Sequence, residues 1–139
     1  MPVSTALRRQ LRPSRTLPVP RFKYSPVVQA GPFVFVSGMV ALDAAAGRLV
    51  DGGGFEQTRQ ILANLGALLE EMDWSLDQLL MARIFCTDFD AFPEVNRAWE
   101  AFFVDVEPPA RTSVGVSALP LGALVEIEFQ LLIDQPTAA

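Results

Sequence analysis

The sequence has no histidine and a single cysteine, Cys86, among its 139 residues. Without histidine, a Ser-His-Asp triad, a Cys-His pair, a histidine general base and histidine metal ligands are all excluded. One cysteine forms neither an intrachain disulfide nor a thiolate metal site, and its apolar strand-like surroundings indicate a buried, inert thiol. A reducing compartment is therefore expected, and we take it to be the cytoplasm.

Long hydrophobic runs and evenly spread charge are also missing. No apolar run reaches the roughly 18 residues that a membrane span requires. Six of the eleven basic residues fall before residue 24, whereas beyond Lys23 five arginines oppose all sixteen acidic residues, the first of which is Asp43. Because an acidic body repels a phosphate backbone, we do not expect nucleic acid as a partner.

The length fits one domain, and half of the residues are hydrophobic, which is ample for a core. We predict an Arg/Pro-rich N-terminal extension over residues 1–20, one domain over residues 21–134 and a C-terminal tail over residues 135–139. The extension shows no clear periodicity, so we expect it to be flexible or draped over a neighbouring molecule. It lacks the apolar region of a secretion signal, but Arg-rich, acid-free starts also occur in transit peptides, and that alternative stays open.

Hydrophobic patterning predicts the element order β β α β α β β, which is typical of an α+β domain with two helices on one face of a sheet. An opening hairpin is expected to turn at Gly31-Pro32 and to end at Ser37-Gly38. The predicted helices span residues 55–72 and 90–103, and the predicted strands span residues 24–30, 33–37, 81–87, 112–117 and 124–132.

The last predicted strand is strictly two-sided. Val125, Ile127, Phe129 and Leu131 share one face, whereas Glu126, Glu128 and Gln130 share the other. If the helices cover the first face, the second carries a mixture of charged and apolar side chains. Such a face gains stability by packing against copies of the same chain, so we expect an oligomer with sites at subunit boundaries.

Arg111 stands where a rigid turn enters a predicted strand. The preceding Pro108-Pro109 fixes the backbone and removes two amide donors. The guanidinium is always charged and presents a planar fork that matches a carboxylate. From these residues alone, a bound small acid and a surface salt bridge remain alternative interpretations.

Six stretches carry a specific resemblance. They are residues 24–26 (YSP), 33–38 (FVFVSG), 57–65 (QTRQILANL), 90–96 (DAFPEVN), 108–114 (PPARTSV) and 119–128 (LPLGALVEIE). Together they resemble the Rid (YjgF) family of imine and enamine deaminases, also called the endoribonuclease L-PSP family, over about residues 24–133.

The resemblance implies a chorismate-mutase-like α+β fold, with a mixed sheet and two long helices on one face. It also implies a homotrimer with the sheets facing inward and active sites in the clefts between subunits. The implied reaction is hydrolysis of reactive 2-imino acids, or enamines such as 2-aminoacrylate, to 2-keto acids and ammonia, without cofactor or metal.

The resemblance also implies roles for particular residues. Arg111 is expected to grip the substrate carboxylate, and Glu126 to act on a water molecule near the imine carbon. The remaining substrate-binding positions implied in this way are Ser37, Gly38, Asn96, Ser113, Tyr24 and Val27.

The chain departs from the family pattern at three positions. Val27 stands where many active members have tyrosine, Met39 where glutamine is common, and Ser113 where cysteine is common. These changes leave the expected carboxylate clamp intact but alter the surroundings of the substrate side chain.

Two other functions remain open at this point. The same clefts would serve a protein that binds a keto acid or another small carboxylate without turnover. The family name also raises ribonuclease activity, against which the acidic body and the absence of histidine count.

Overall fold

The computed structural model describes residues 8–133, so the first seven residues and the predicted tail at 135–139 lie outside the described part. Two long helices, α1 (Gly54–Met72) and α2 (Phe92–Phe102), accompany eight strands. The strands are β1 (Arg9–Leu11), β2 (Val27–Ala30), β3 (Phe33–Val40), β4 (Leu42–Asp43), β5 (Arg48–Leu49), β6 (Leu79–Cys86), β7 (Ala110–Gly115) and β8 (Val125–Leu132).

Six strands form one mixed sheet in the order β1-β2-β3-β8-β6-β7. The β6–β7 pair is parallel, and the other neighbours are antiparallel. Strands β4 and β5 form a separate small hairpin. The predicted α+β class and the predicted order of the main elements are confirmed.

The core lies between the two helices and one face of the sheet. Helix α1 buries an apolar stripe that includes Ile61, Leu65 and Leu68, all 0% exposed. Strand β8 buries Val125, Ile127, Phe129 and Leu131, each at most 1% exposed, which confirms the predicted alternation. Val95 and Trp99 of α2 join the same core cluster.

Neither helix covers the opposite face of the sheet. Arg83 and Glu128 form a salt bridge there at 3.4 Å between Nη1 and Oε1, with both side chains about two-fifths exposed. Large apolar side chains remain exposed on β3, β6 and β8, namely Phe33, Phe35, Leu80 and Leu132. The predicted mixture of charged and apolar groups is therefore present.

Strand β3 continues to Val40, so the prediction that the hairpin ends at Ser37-Gly38 is wrong. Val36 pairs with Phe129 and Met39 pairs with Ile127, which leaves two residues of β3 opposite one residue of β8. This is a β-bulge, which bends the strand without ending the ladder.

The N-terminal segment from Arg9 to Leu17 is docked on its own chain, which corrects the expectation of a flexible extension for these residues. We call residues 9–22 the arm. Strand β1 pairs with β2, and Leu17 is 9% exposed within the core. Between them, a short turn surrounds one carboxylate of α1. Ser14 Oγ, the Arg15 backbone N–H and Thr16 Oγ1 donate to Glu71 at 2.6, 2.6 and 2.9 Å.

These hydrogen bonds, led by that from Ser14, lower the pKa of Glu71. The docking contribution of this carboxylate is thus fully present above its unfolded pKa and is lost as the pH falls through the lowered pKa. The attachment of the turn at residues 14–16 to α1 is therefore weakened when Glu71 is protonated.

We expect Glu71→Ala to release the turn at residues 14–16 while leaving the core intact. Trypsin should then cleave after Arg15 several-fold faster at pH 7, because the bond is no longer held against α1. Limited proteolysis followed by mass spectrometry measures this rate. Glu70→Ala is the matched control, since Glu70 is the adjacent exposed acid and contributes no side-chain bond to the arm. Equal cleavage of wild type and Glu71→Ala would contradict the assignment.

Candidate functional site

A cavity of about 380 Å³ opens beside the bulge of β3 and the N-terminal end of β8, and we call it the Glu126 cavity. It brings together four of the residues predicted to form the site. These are Tyr24, Ser37, Gly38 and Glu126.

The close approach of Gly38 to Glu126 shapes this cavity. A Cβ atom added at Gly38 would lie 2.9 Å from both Cδ and Oε2 of Glu126, so a side chain there would displace the carboxylate. Ser37 Oγ donates to the Ser25 carbonyl at 2.7 Å, which fixes the bulge to the segment that carries Tyr24. The glycine thus makes room for the acid, and the serine holds the backbone in place.

Burial raises the pKa of Glu126, and the negative charge of Glu128 raises it further. Both causes act against the charged form. Glu126 therefore retains its proton to a higher pH than an ordinary glutamate, closer to the range in which a carboxyl group both accepts and returns a proton near neutrality.

Arg111 lines a different cavity, together with Asn96, Trp99 and Pro109, and we call it the Arg111 cavity. The residue is the second of β7, so it lies within the strand rather than in the turn before it. Its guanidinium carbon stands 5.2 Å from the ring centroid of Trp99 and 5.5 Å from that of Phe92. These contacts orient the guanidinium.

Within residues 8–133, the Arg111 side chain has neither an ion pair nor a hydrogen bond. An oriented fork with unused donors is suited to binding a carboxylate in two-pronged fashion. Arg111 thus has no acidic partner in the described part of the chain, which counts against its interpretation as a surface salt bridge.

One copy of the chain does not bring Arg111 and Glu126 together. Glu126 pairs with Phe85, which pairs with Val114, and Arg111 lies three residues earlier on β7. Two strand spacings and three residue rises separate the two Cα atoms by about 14 Å. Arg111 also pairs with the fully buried Ala82, so it projects on the helix side of the sheet, whereas Glu126 projects on the other side.

The remaining predicted residues divide between the two locations. Asn96 lines the Arg111 cavity. Ser113 lies on the same face of β7 as Arg111, and its Oγ is buried without a hydrogen-bond partner in the described residues. Val27 reaches neither cavity, because it is 1% exposed in the core. Tyr24, which is 48% exposed, is the neighbouring side chain that does line the Glu126 cavity.

The contribution of the arm to this site was not predicted from the sequence. Leu17, Val19, Arg21 and Phe22 line the Glu126 cavity. No sequence pattern indicated this, because the segment lacks periodicity and docks through contacts with distant residues, namely the β1–β2 pairing and the hydrogen bonds to Glu71. Arg21 places a positive charge at the same cavity as Glu126.

Residues 8–133 contain neither a cluster of metal-ligating side chains nor a membrane-spanning helix. No group of three or more Asp, Glu or Cys side chains in this part is arranged to hold a metal ion. In the same residues, no helix is both long enough and apolar enough to cross a membrane.

We expect the carboxyl group of Glu126 to titrate above the ordinary glutamate range, and Glu128→Gln to lower that pKa. The substitution removes the neighbouring charge and leaves the desolvation, so the pKa falls but stays raised. A pH titration of ¹³C-labelled glutamate carboxyl groups by NMR, with Glu126→Gln for assignment, measures both values. Glu100→Gln, an exposed acid outside this cavity, is the control. Titration of Glu126 in the ordinary range would contradict the inferred environment.

The chain is similar in sequence to known proteins. Residues 15–132 match the family model for endoribonuclease L-PSP. A RutC family protein of Aquifex aeolicus is 42% identical over 81% of this chain and 90% of its own length. The 2-iminobutanoate/2-iminopropanoate deaminase of Mus musculus is 36% identical, covering 76% of this chain and 77% of the mouse protein.

The fold is similar to solved structures as well. A protein of the Rid family from Yersinia pestis superposes with a TM-score of 0.85 at 31% identity, over 91% of this chain and 100% of that one.

Proposed function

The chain belongs to the endoribonuclease L-PSP (Rid) family, and from that premise we propose that it hydrolyses reactive 2-imino acids and their enamine tautomers to 2-keto acids and ammonia. One observation carries the proposal. The chain presents an unpaired, oriented arginine fork in one cavity and a half-buried carboxyl group with a raised pKa in another.

The proposed active unit is a homotrimer in which Arg111 of one copy faces the Glu126 cavity of the next. The separation of about 14 Å and the opposite orientations within one copy call for such an arrangement, because a three-carbon acid cannot bridge them. The uncovered sheet face, with Phe33, Phe35 and Leu132 exposed, supplies apolar area for packing the sheets inward.

The chemistry requires no covalent nucleophile, because the carbon of a protonated imine is already electrophilic. Arg111 binds the substrate carboxylate through two parallel hydrogen bonds and so limits the orientations of the imine carbon. Glu126, as carboxylate, takes a proton from water while the water oxygen forms a bond to that carbon. The product of this step is a neutral tetrahedral amino alcohol.

The second half of the reaction reverses the proton flow. Glu126, now protonated, returns the proton to the nitrogen, and the carbon–nitrogen bond breaks as the hydroxyl group becomes the ketone. Ammonia leaves, and the remaining hydroxyl proton passes to solvent. A raised pKa suits this double role, because it makes the Glu126 carboxylate a stronger base toward water than an ordinary glutamate.

A second candidate is a protein that binds a keto acid without turnover. The presence of Arg21 at the Glu126 cavity favours it, because a carboxylate clamp would then exist within one chain and would not need Arg111. Ribonuclease activity has no comparable support from the described residues, and the acidic body repels an RNA backbone.

We expect Arg111→Ala to lower kcat/KM for imine hydrolysis by about 100-fold, because it removes one partner of a charge-assisted pair. The imine is generated by an amino-acid oxidase, and the imine that survives is trapped with semicarbazide. Arg59→Ala, an exposed arginine of α1, is the matched control. A larger loss in Arg21→Ala than in Arg111→Ala would place the clamp at Arg21. Binding of 2-ketobutyrate by wild type without acceleration would favour the binding protein.

Mixed oligomers test whether two copies share a site. Arg111→Ala and Glu126→Gln are each expected to retain only a small residual activity alone. Refolded together in equal amounts, they should recover about a quarter of the wild-type activity, because that fraction of interfaces combines an intact Glu126 with an intact Arg111 from the neighbour. Mixing without refolding controls for contamination. No recovery in refolded oligomers of native size would place both residues in one copy and overturn the shared site.

A further inference from the structure

We propose that the Glu126 cavity selects 2-imino acids with bulky apolar side chains, branched aliphatic or aromatic, over the small 2-aminoacrylate. The inference rests on the proposed function and names the substrate class for that same site. It is drawn from the apolar walls of the cavity, from one strained residue within them and from the shortage of free polar groups.

The first wall is the docked arm. Leu17 anchors it at 9% exposure, whereas Val19 and Phe22 are 84% and 63% exposed and line the cavity. The three hydrogen bonds to Glu71 hold this segment against the domain despite those exposed side chains. An apolar substrate group entering here removes both its own surface and that of the arm from water, which stabilises the complex.

The second wall contains Leu121, whose backbone is strained. Its φ of +61° lies in the left-handed region that glycine adopts freely and that bulky residues avoid. Its side chain lines the Glu126 cavity. A large apolar side chain kept at a position that favours glycine points to a use for that side chain, and the cavity is where it is presented.

The polar groups of the cavity are largely committed to the protein. Asn64 donates from Nδ2 to the Leu42 carbonyl at 2.9 Å and accepts from Gln60 at Oδ1, also at 2.9 Å. Ser37 donates to the Ser25 carbonyl. Besides Glu126, few side-chain donors or acceptors are left for a polar substrate side chain, with the Arg21 guanidinium and the Tyr24 hydroxyl as the exceptions. The volume of about 380 Å³ falls in the range of pockets that enclose molecules larger than a three-carbon acid.

The experiment compares kcat/KM for imines that an amino-acid oxidase forms from leucine, phenylalanine, alanine and glutamate. We expect the wild type to prefer the leucine- and phenylalanine-derived imines over the alanine-derived imine by about tenfold or more, the discrimination that a few methylene groups give. Leu121→Gly should reduce that ratio to within about threefold. Glycine relieves the backbone strain at this position, so loss of folding does not explain the change.

Asp73→Gly is the matched control. Asp73 has a φ of +58°, ends α1 and does not line the cavity, so its replacement relieves the same kind of strain and should keep the wild-type ratio. Phe22→Ala tests the arm independently and should also lower the ratio.

Hydrolysis of all four imines at similar rates would overturn the inference and leave the proposed function standing. A preference for the glutamate-derived imine would do the same and would assign Arg21 to the substrate side chain. If no imine is hydrolysed, the proposed function fails. Calorimetry then compares the affinities of 4-methyl-2-oxopentanoate and pyruvate, which tests the apolar pocket separately from catalysis. Tighter binding of the branched acid, lost in Leu121→Gly, supports the apolar pocket, and equal affinities overturn it.

Discussion

The register of β8 is the constraint on which both the core and the site depend. This strand lies between β3 and β6, and its side chains alternate between the helix side and the uncovered side of the sheet. The odd-numbered residues from Val125 to Leu131 are buried, and the even-numbered ones carry Glu126, Glu128 and Gln130. A slip of one residue would bury the carboxylates and expose the core, at a large cost in free energy. The position of Glu126 is therefore as firmly specified as the packing of the domain.

The same sheet separates Arg111 from Glu126 within one copy of the chain. Arg111 projects on the helix side of edge strand β7 and rests on the aromatic rings of α2, whereas Glu126 is two strands away on the other side. No rotation of the two side chains closes that gap across a sheet. In the proposed trimer, activity consequently depends on assembly, because each subunit interface brings Arg111 of one copy to Glu126 of the next. Loss of apolar contact on the uncovered face would then reduce activity without any change in either cavity.

The elements with strong periodicity were predictable from the sequence, and the features that depend on distant contacts were not. The apolar spacing of α1 and the alternation of β8 predicted these elements to within about one residue. The bulge at Ser37-Gly38 was not predicted, because two residues of one strand lie opposite one residue of its partner, and this pairing is visible only when both strands are considered. The docking of the arm was not predicted, because it involves distant contacts such as that between Ser14 and Glu71, which are 57 residues apart. For the site, the family resemblance pointed to Glu126 and Gly38, but it did not distinguish the buried Val27 from Tyr24 at the cavity.

The strained conformation of Leu121 persists because its loop is fixed from several sides. The backbone N–H of Gly122 donates to the Leu119 carbonyl at 3.3 Å, and that of Ala123 donates to the Pro120 carbonyl at 3.1 Å. Gln57 of α1, 5% exposed, accepts from the backbone N–H of Leu124 at 3.0 Å. A left-handed non-glycine residue costs on the order of 1 kcal/mol, which hydrogen bonds of this number offset. Helix α1 thus holds both walls of the Glu126 cavity, one through Glu71 and the arm, the other through Gln57 and this loop. The shape of the cavity is thereby tied to helix α1, as the proposed selection of substrates by their shape requires.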